Sequence, residues 1–123
     1  MFSVSVETTF RASHRTRLPN GLQEQEHRHI WFVKAAVTSN KLDEIGFVID
    51  FDRLKNLLDE VVGKFDNGSL GKVSYFKRNG SSAENVAKYI YEKLEARLPK
   101  GVRLEYVEVA EQPGCSARFY KPL

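Results

Sequence analysis

The patterning of this chain predicts an α+β fold, a four-stranded antiparallel sheet with two helices packed on one face. Three observations carry that prediction. Apolar and polar residues alternate near both ends of the chain, two amphipathic stretches of helical period lie between, and turn clusters separate the segments. The order is ββααββ. Such a sheet leaves two bare edges, and bare edges invite pairing, so extension across subunits is expected.

Phe2, Val4, Val6, Thr8 and Phe10 alternate with Ser3, Ser5, Glu7 and Thr9, the period of a strand with one buried and one wet face. Arg11–Glu26 then reads as a polar loop, with Pro19-Asn20-Gly21 as its turn cluster. The aromatic and β-branched run Ile30-Trp31-Phe32-Val33, continued by Ala35-Ala36-Val37, sets a second strand over Arg28–Thr38, antiparallel to the first. Leu54, Leu57, Leu58, Val61, Val62 and Phe65 fall at helical spacing and give a helix over about Phe51–Lys64. Ser81-Ser82-Ala83-Glu84 offers a capping box for a second helix. Its buried face is Ala83, Ala87, Ile90, Leu94 and Leu98, and Pro99-Lys100-Gly101 stops it. Val102–Val109 and Ser116–Tyr120 close the chain as strands about the turn Gln112-Pro113-Gly114.

The 123 residues fit a single domain over 1–123. With 19 Lys and Arg against 16 Asp and Glu, the net charge of +3 is too small for a nucleic-acid surface, though it suits a ligand bearing phosphates. Met1–Phe10 lacks the apolar run of a signal peptide, and no stretch approaches the roughly 18 apolar residues of a membrane span, so the cytoplasm is the expected location. The single cysteine, Cys115, excludes an intrachain disulfide and reads as a small packing residue.

All three histidines, His14, His27 and His29, lie in the first quarter of the chain. On a strand, His27 and His29 project from one face. With His14 arriving from the preceding segment, they would form a three-nitrogen zinc site whose fourth position stays open for water or substrate. The competing reading is half-buried polar surface, the usual fate of a short His-x-His taken alone.

Five stretches, in order, bear on the choice: Phe10-Arg11-Ala12-Ser13-His14, His27-Arg28-His29, Gly46-Phe47-Val48-Ile49-Asp50-Phe51, Asn79-Gly80-Ser81-Ser82-Ala83-Glu84-Asn85, and Glu111 with Tyr120 after it. Over essentially its whole length the chain resembles the 6-pyruvoyltetrahydropterin synthase and 6-carboxytetrahydropterin synthase family. The resemblance implies the tunnelling fold, in which three subunits join their sheets into a β-barrel and two trimers stack into a homohexamer. It also implies zinc held by His14, His27 and His29, and a pterin substrate, normally 7,8-dihydroneopterin triphosphate. Glu111 would anchor the pterin ring, one carboxylate accepting from the amino group and the ring N–H together. Taken alone, Glu111 reads as a solvated strand-end acid.

The chain also departs from that pattern. Where the family carries a cysteine, four residues before the first histidine of His-x-His, stands Gln23, and Glu24 follows it. A subgroup of the family has Glu-x-x-His, which implies cleavage of the dihydroneopterin side chain to 6-hydroxymethyl-dihydropterin, with Glu24 as the base for a hydroxyl proton. Glu26 competes for that role. The family's proton-relaying Asp-His pair appears as Asp66-Asn67, which leaves Asp66 as the titratable member. Arg28 replaces a glycine between the two histidines and points to the other strand face. Ser82 keeps a hydroxyl for capping or for the pterin. Lys72, Lys77 and Arg78 flank the loop between the helices and read as solvated surface.

Three functions are consistent with these residues. The first is a zinc-dependent lyase acting on dihydroneopterin or its triphosphate through Glu24, and the second a pterin-binding homologue whose catalysis has decayed. The third is a barrel-forming structural oligomer with no ligand.

Overall fold

Period-two alternation runs further than its apolar members suggest, and that extension shapes the site. In the computed structural model, which describes residues 1–16 and 18–122, β1 covers Phe2–His14 and β2 covers His27–Ser39. The two pair antiparallel throughout, with Phe10 opposite Trp31, Ala12 opposite His29 and His14 opposite His27. The first part of the expected Arg11–Glu26 loop is therefore strand. Arg11 and Ser13 face out while Ala12 and His14 face in, so alternation persists after the large apolar residues end.

Helix α1 spans Phe51–Val62 and buries Leu54, Leu58, Val61 and Val62, the inward stripe of its 3.6-residue period. Asp50 caps it, its carboxylate accepting from the Asp52 N–H, one of the amides that a helix start leaves without a partner. Two elements carry too few residues to show a period. β3, Gly68–Ser69, pairs parallel to the end of β1, and α2, Ser74–Asn79, follows a 3₁₀ turn at Leu70–Lys72. Helix α3, Ala83–Glu95, buries Val86, Ala87, Ile90, Tyr91 and Leu94 and begins at Ser82, whose hydroxyl accepts from the Asn85 N–H. β4, Arg103–Gln112, and β5, Cys115–Phe119, complete a mixed five-stranded sheet in the order β3-β1-β2-β4-β5. The architecture is thus the expected α+β layer with a short fifth strand and a third helix added.

The covered face of the sheet, with Val6, Phe10, Trp31, Val33, Val37, Leu104, Val107 and Val109, joins the helix stripes in one cluster of buried apolar side chains. Full burial of each Leu, Val or Phe stabilises the fold by about 1.5–3 kcal/mol. Phe10 stacks on Trp31 at 5.7 Å between ring centroids, and the indole N–H donates to the Ala12 carbonyl at 3.2 Å. The opposite face is uncovered, and Ile30 and Phe32 lie about half exposed on it. Cys115 is exposed, not packed, because it opens β5 directly after the Pro113-Gly114 turn. Among the described residues no helix is long and apolar enough to cross a membrane.

Candidate metal centre

Strand pairing alone brings the three histidines together. His14 ends β1, His27 stands opposite it at the start of β2, and His29 follows two residues on, all on the covered face. Their ring centroids lie 4.6 Å (His14–His27), 5.1 Å (His14–His29) and 4.3 Å (His27–His29) apart. Glu111 reaches the same point from β4, where it follows Val107 and Val109 on the inward side. One donor atom from each of these four residues lies within 4.8 Å of every other.

The protein orients the rings from outside the cluster. His14 Nδ1 lies 2.9 Å from the Ser81 carbonyl oxygen, and His27 Nδ1 lies 3.2 Å from that of Gln25. A carbonyl only accepts, so each Nδ1 carries the proton and each Nε2 keeps its lone pair free, as metal-binding imidazoles require. Trp31 packs edge-on against His14 at 4.7 Å and His29 at 5.9 Å, closing the inner side with apolar surface. His14 is only 1% exposed. The Nε2 atoms of His14 and His29 are buried and have no hydrogen-bond partner. Such orphans are costly in a folded protein unless something occupies the point between them. Burial, reinforced by the neighbouring His27 and His14, lowers the His29 pKa below its ordinary value, which favours the neutral form that a metal needs. Three imidazoles, two of them held at Nδ1 by backbone carbonyls, and one carboxylate fit a divalent metal.

Glu24 lies in the 15–26 segment. Its N–H donates to the Thr16 carbonyl at 2.9 Å, and its Oε1 accepts from the Thr16 N–H at 3.3 Å. That bond to Thr16, with a smaller contribution from the histidines, lowers its pKa and keeps the carboxylate ionised. Glu26, the competing acid, accepts from the Ser69 hydroxyl at 2.8 Å. A cavity of about 460 Å³ reaches Ser81, behind the outward Nδ1 of His14, and is lined by Gln23 and Glu26 with the cations of Arg15, Lys72 and Lys77; none of the four clustered residues lines it. Arg78 and Glu24 are not part of that lining.

Asp66 and Ser82 stand apart from the four-residue cluster. Asp66 Oδ1 accepts from the Arg11 N–H at 2.8 Å, which ties the residue to β1. Ser82 is the α3 cap described above. Sequence reasoning missed the two carbonyls that set the ring tautomers, and a backbone acceptor has no residue-type signature. It also missed that the Glu111 carboxylate touches the imidazoles themselves.

A one-sided α+β sheet with a candidate metal centre at the end of its central hairpin defines the class. The model of the 6-pyruvoyl tetrahydropterin synthase family matches residues 3–122, and the chain belongs to that family. It is 28% identical over 103 residues to the dihydroneopterin monophosphate aldolase of Pyrococcus furiosus, covering 84% of this chain and 83% of that one. It is 30% identical over 120 residues to the 6-pyruvoyl tetrahydrobiopterin synthase of Drosophila melanogaster, covering 85% and 71%. Its match to the 6-carboxy-5,6,7,8-tetrahydropterin synthase of Rickettsia typhi, 28% identical over 89 residues, spans 58% of this chain and 64% of that protein's length. The solved 6-pyruvoyl tetrahydropterin synthase of Caenorhabditis elegans superposes with a TM-score of 0.84 at 25% identity, covering 98% and 96%. The Plasmodium vivax synthase shares the fold at a TM-score of 0.78 and 20% identity.

Proposed function

We propose that this protein is a zinc-dependent lyase that breaks the bond between the first two side-chain carbons of 7,8-dihydroneopterin or its phosphate esters, releasing 6-hydroxymethyl-dihydropterin and the two-carbon remainder as glycolaldehyde or its phosphate ester. The observation that carries the reading is the convergence of three imidazoles on one point, two with their Nδ1 protons assigned outward and two with buried, unpartnered Nε2 atoms. Zinc, when held by His14, His27 and His29, supplies Lewis acidity that eases deprotonation of a substrate hydroxyl.

The remaining chemistry belongs to side chains. Glu24 is the base in this reading: it is ionised at neutral pH, and because its bond to Thr16 lowers its pKa, release from Thr16 restores the basicity needed to accept a hydroxyl proton. A glutamate is a catalytic residue of the Plasmodium vivax synthase, which shares this fold, and that is compatible with a catalytic glutamate here. The Pyrococcus furiosus relative is named for aldolase chemistry on a dihydroneopterin phosphate, which supports cleavage over pyruvoyl formation. Arg15, Lys72 and Lys77, with Glu26 the one acid among them, give the cavity that reaches Ser81 a net positive lining suited to a phosphate ester. Glu111 seats the pterin ring and Ser82 offers it a hydroxyl. Asp66 supports β1 at its Arg11 amide and would relay protons only once released from it. Assembly as a homohexamer in the cytoplasm completes the reading, because the uncovered sheet face and its edges are suited to subunit pairing.

A second reading is a pterin binder without turnover. The placement of Asn67 favours it, since its side chain is bonded to Arg28 at 3.0 Å and carries no titratable group. Incubating the zinc-loaded protein with 7,8-dihydroneopterin, its monophosphate and its triphosphate, followed by chromatography of the pterins, decides between the two. Formation of 6-hydroxymethyl-dihydropterin establishes the lyase. Binding without any product establishes the decayed homologue, and a pyruvoyl or carboxy pterin as product overturns the proposed cleavage.

A further inference from the structure

Glu111 Oε2 lies 3.5 Å from His14 Nε2 and 3.6 Å from His29 Nε2. These separations are too long for charge-assisted hydrogen bonds, which close to about 2.7–2.9 Å. They match another geometry. Donors bound tetrahedrally to one zinc at about 2.0–2.1 Å stand about 3.4 Å from each other, the edge of the coordination tetrahedron. Both nitrogens are buried and unpartnered, so the carboxylate shares with them a space that no protein donor fills. Alternation along β4 puts Glu111 on this face, and the register shift between Ala110 and Gln112 occurs at that residue, where pairing with β5 is interrupted.

We infer that Glu111 is the fourth metal donor of the substrate-free protein, closing a site of three imidazoles and one carboxylate. The inference rests on the three-histidine metal reading and revises the resting position of a residue otherwise assigned to the pterin ring. A carboxylate bound to the metal cannot at the same time accept from the amino group and ring N–H of a pterin. Substrate must therefore displace it, and Glu111 alternates between two partners, so that the metal position opens only when a pterin is present to receive the acid. Without substrate, Glu111 would hold the metal together with His14, His27 and His29 and would leave water no vacant position there.

Cobalt(II) is the probe, because its visible spectrum reports coordination number and donor type. Wild-type protein, Glu111→Gln and His29→Ala are loaded with cobalt, and affinity is measured against a competing chelator. Glu111→Gln is expected to change the visible bands and weaken metal binding about tenfold or more, while circular dichroism stays that of the wild type. Adding 7,8-dihydroneopterin to the wild type should move its bands. His29→Ala should bind the metal far more weakly than the wild type. Unchanged bands and affinity in Glu111→Gln, with metal binding weakened in His29→Ala, overturn the inference and leave the three-histidine site standing. Metal bound as tightly in His29→Ala as in the wild type overturns both. If Glu111→Gln does not fold, a crystal structure of metal-loaded wild-type protein decides. A carboxylate oxygen at about 2.0–2.2 Å from the metal supports the inference, and a water in its place overturns it.

Discussion

The Ser81 carbonyl oxygen accepts from His14 Nδ1 at 2.9 Å, and through that bond the loop before α3 sets the tautomer of a histidine on β1. Gly80 places that carbonyl, with φ 89° and ψ 162°, a backbone region that side chains other than hydrogen rarely tolerate. The strain is conformational, since an added Cβ would meet nothing closer than Asn85 Nδ2 at 3.9 Å.

Gly80→Ala is therefore expected to destabilise the protein by about 1–3 kcal/mol and to weaken metal binding about tenfold, through the displaced carbonyl. Denaturant titration and chelator competition measure the two effects. A variant that loses stability but binds metal as tightly as the wild type would show that the Ser81 bond does not orient the ring.

Glu24→Gln should abolish product formation while leaving zinc content at about one per chain, because the residue lies outside the donor cluster. Single-turnover assay and metal analysis of the same preparation check this. Equal activity in the variant removes Glu24 from the mechanism and turns attention to Glu26.

Acid should loosen the metal-free protein, and His29 gives the sign. Its folded pKa lies below the ordinary 6.5, chiefly through burial, so below 6.5 the unfolded chain takes up a proton that the folded chain refuses. Stability is complete above that value and declines as pH falls through the window beneath it. Urea midpoints of chelator-treated protein should drop between pH 7.5 and 5.5, and drop less in His29→Gln. Parallel curves would show that His29 contributes nothing to the acid response.

Asn67 has φ 63°, which asparagine tolerates better than most residues, and its Oδ1 accepts from Arg28. Asn67→Ala loses both advantages and should cost about 1–2 kcal/mol in a denaturant titration, whereas Arg28→Ala should cost less. Indistinguishable midpoints for the wild type and Asn67→Ala would show that this contact is idle.

The sheet and the two long helices were legible because their apolar residues recur at periods of 2 and 3.6 over many residues. The end of β1 was not. Its inward positions there are Ala12 and His14, one small and one polar, so the alternation is geometric without being hydrophobic. β3 and α2 are shorter than the window in which either period can be recognised. Within the site, alternation alone puts His27 and His29 on one face, and the resemblance of five short stretches singled out His14 and Glu111 as candidates, which the structure brings to the same point. What it could not give was contact between Glu111 and the histidines, which depends on how β4 pairs across β2. Cys115 was misread for a similar reason. A residue beside a tight turn packs only if something lies above it, and that is a fact of the tertiary fold.

Because every imidazole sits on one hairpin while the proposed base hangs from Thr16 in the connecting segment, the proposed function assigns grip and reactivity to different stretches of chain. Side chains at residues 18–24 can be changed without removing a rung of the β1–β2 ladder or the Gln25 carbonyl that orients His27. A designer seeking new chemistry on this scaffold should begin in that stretch and leave the paired strands alone.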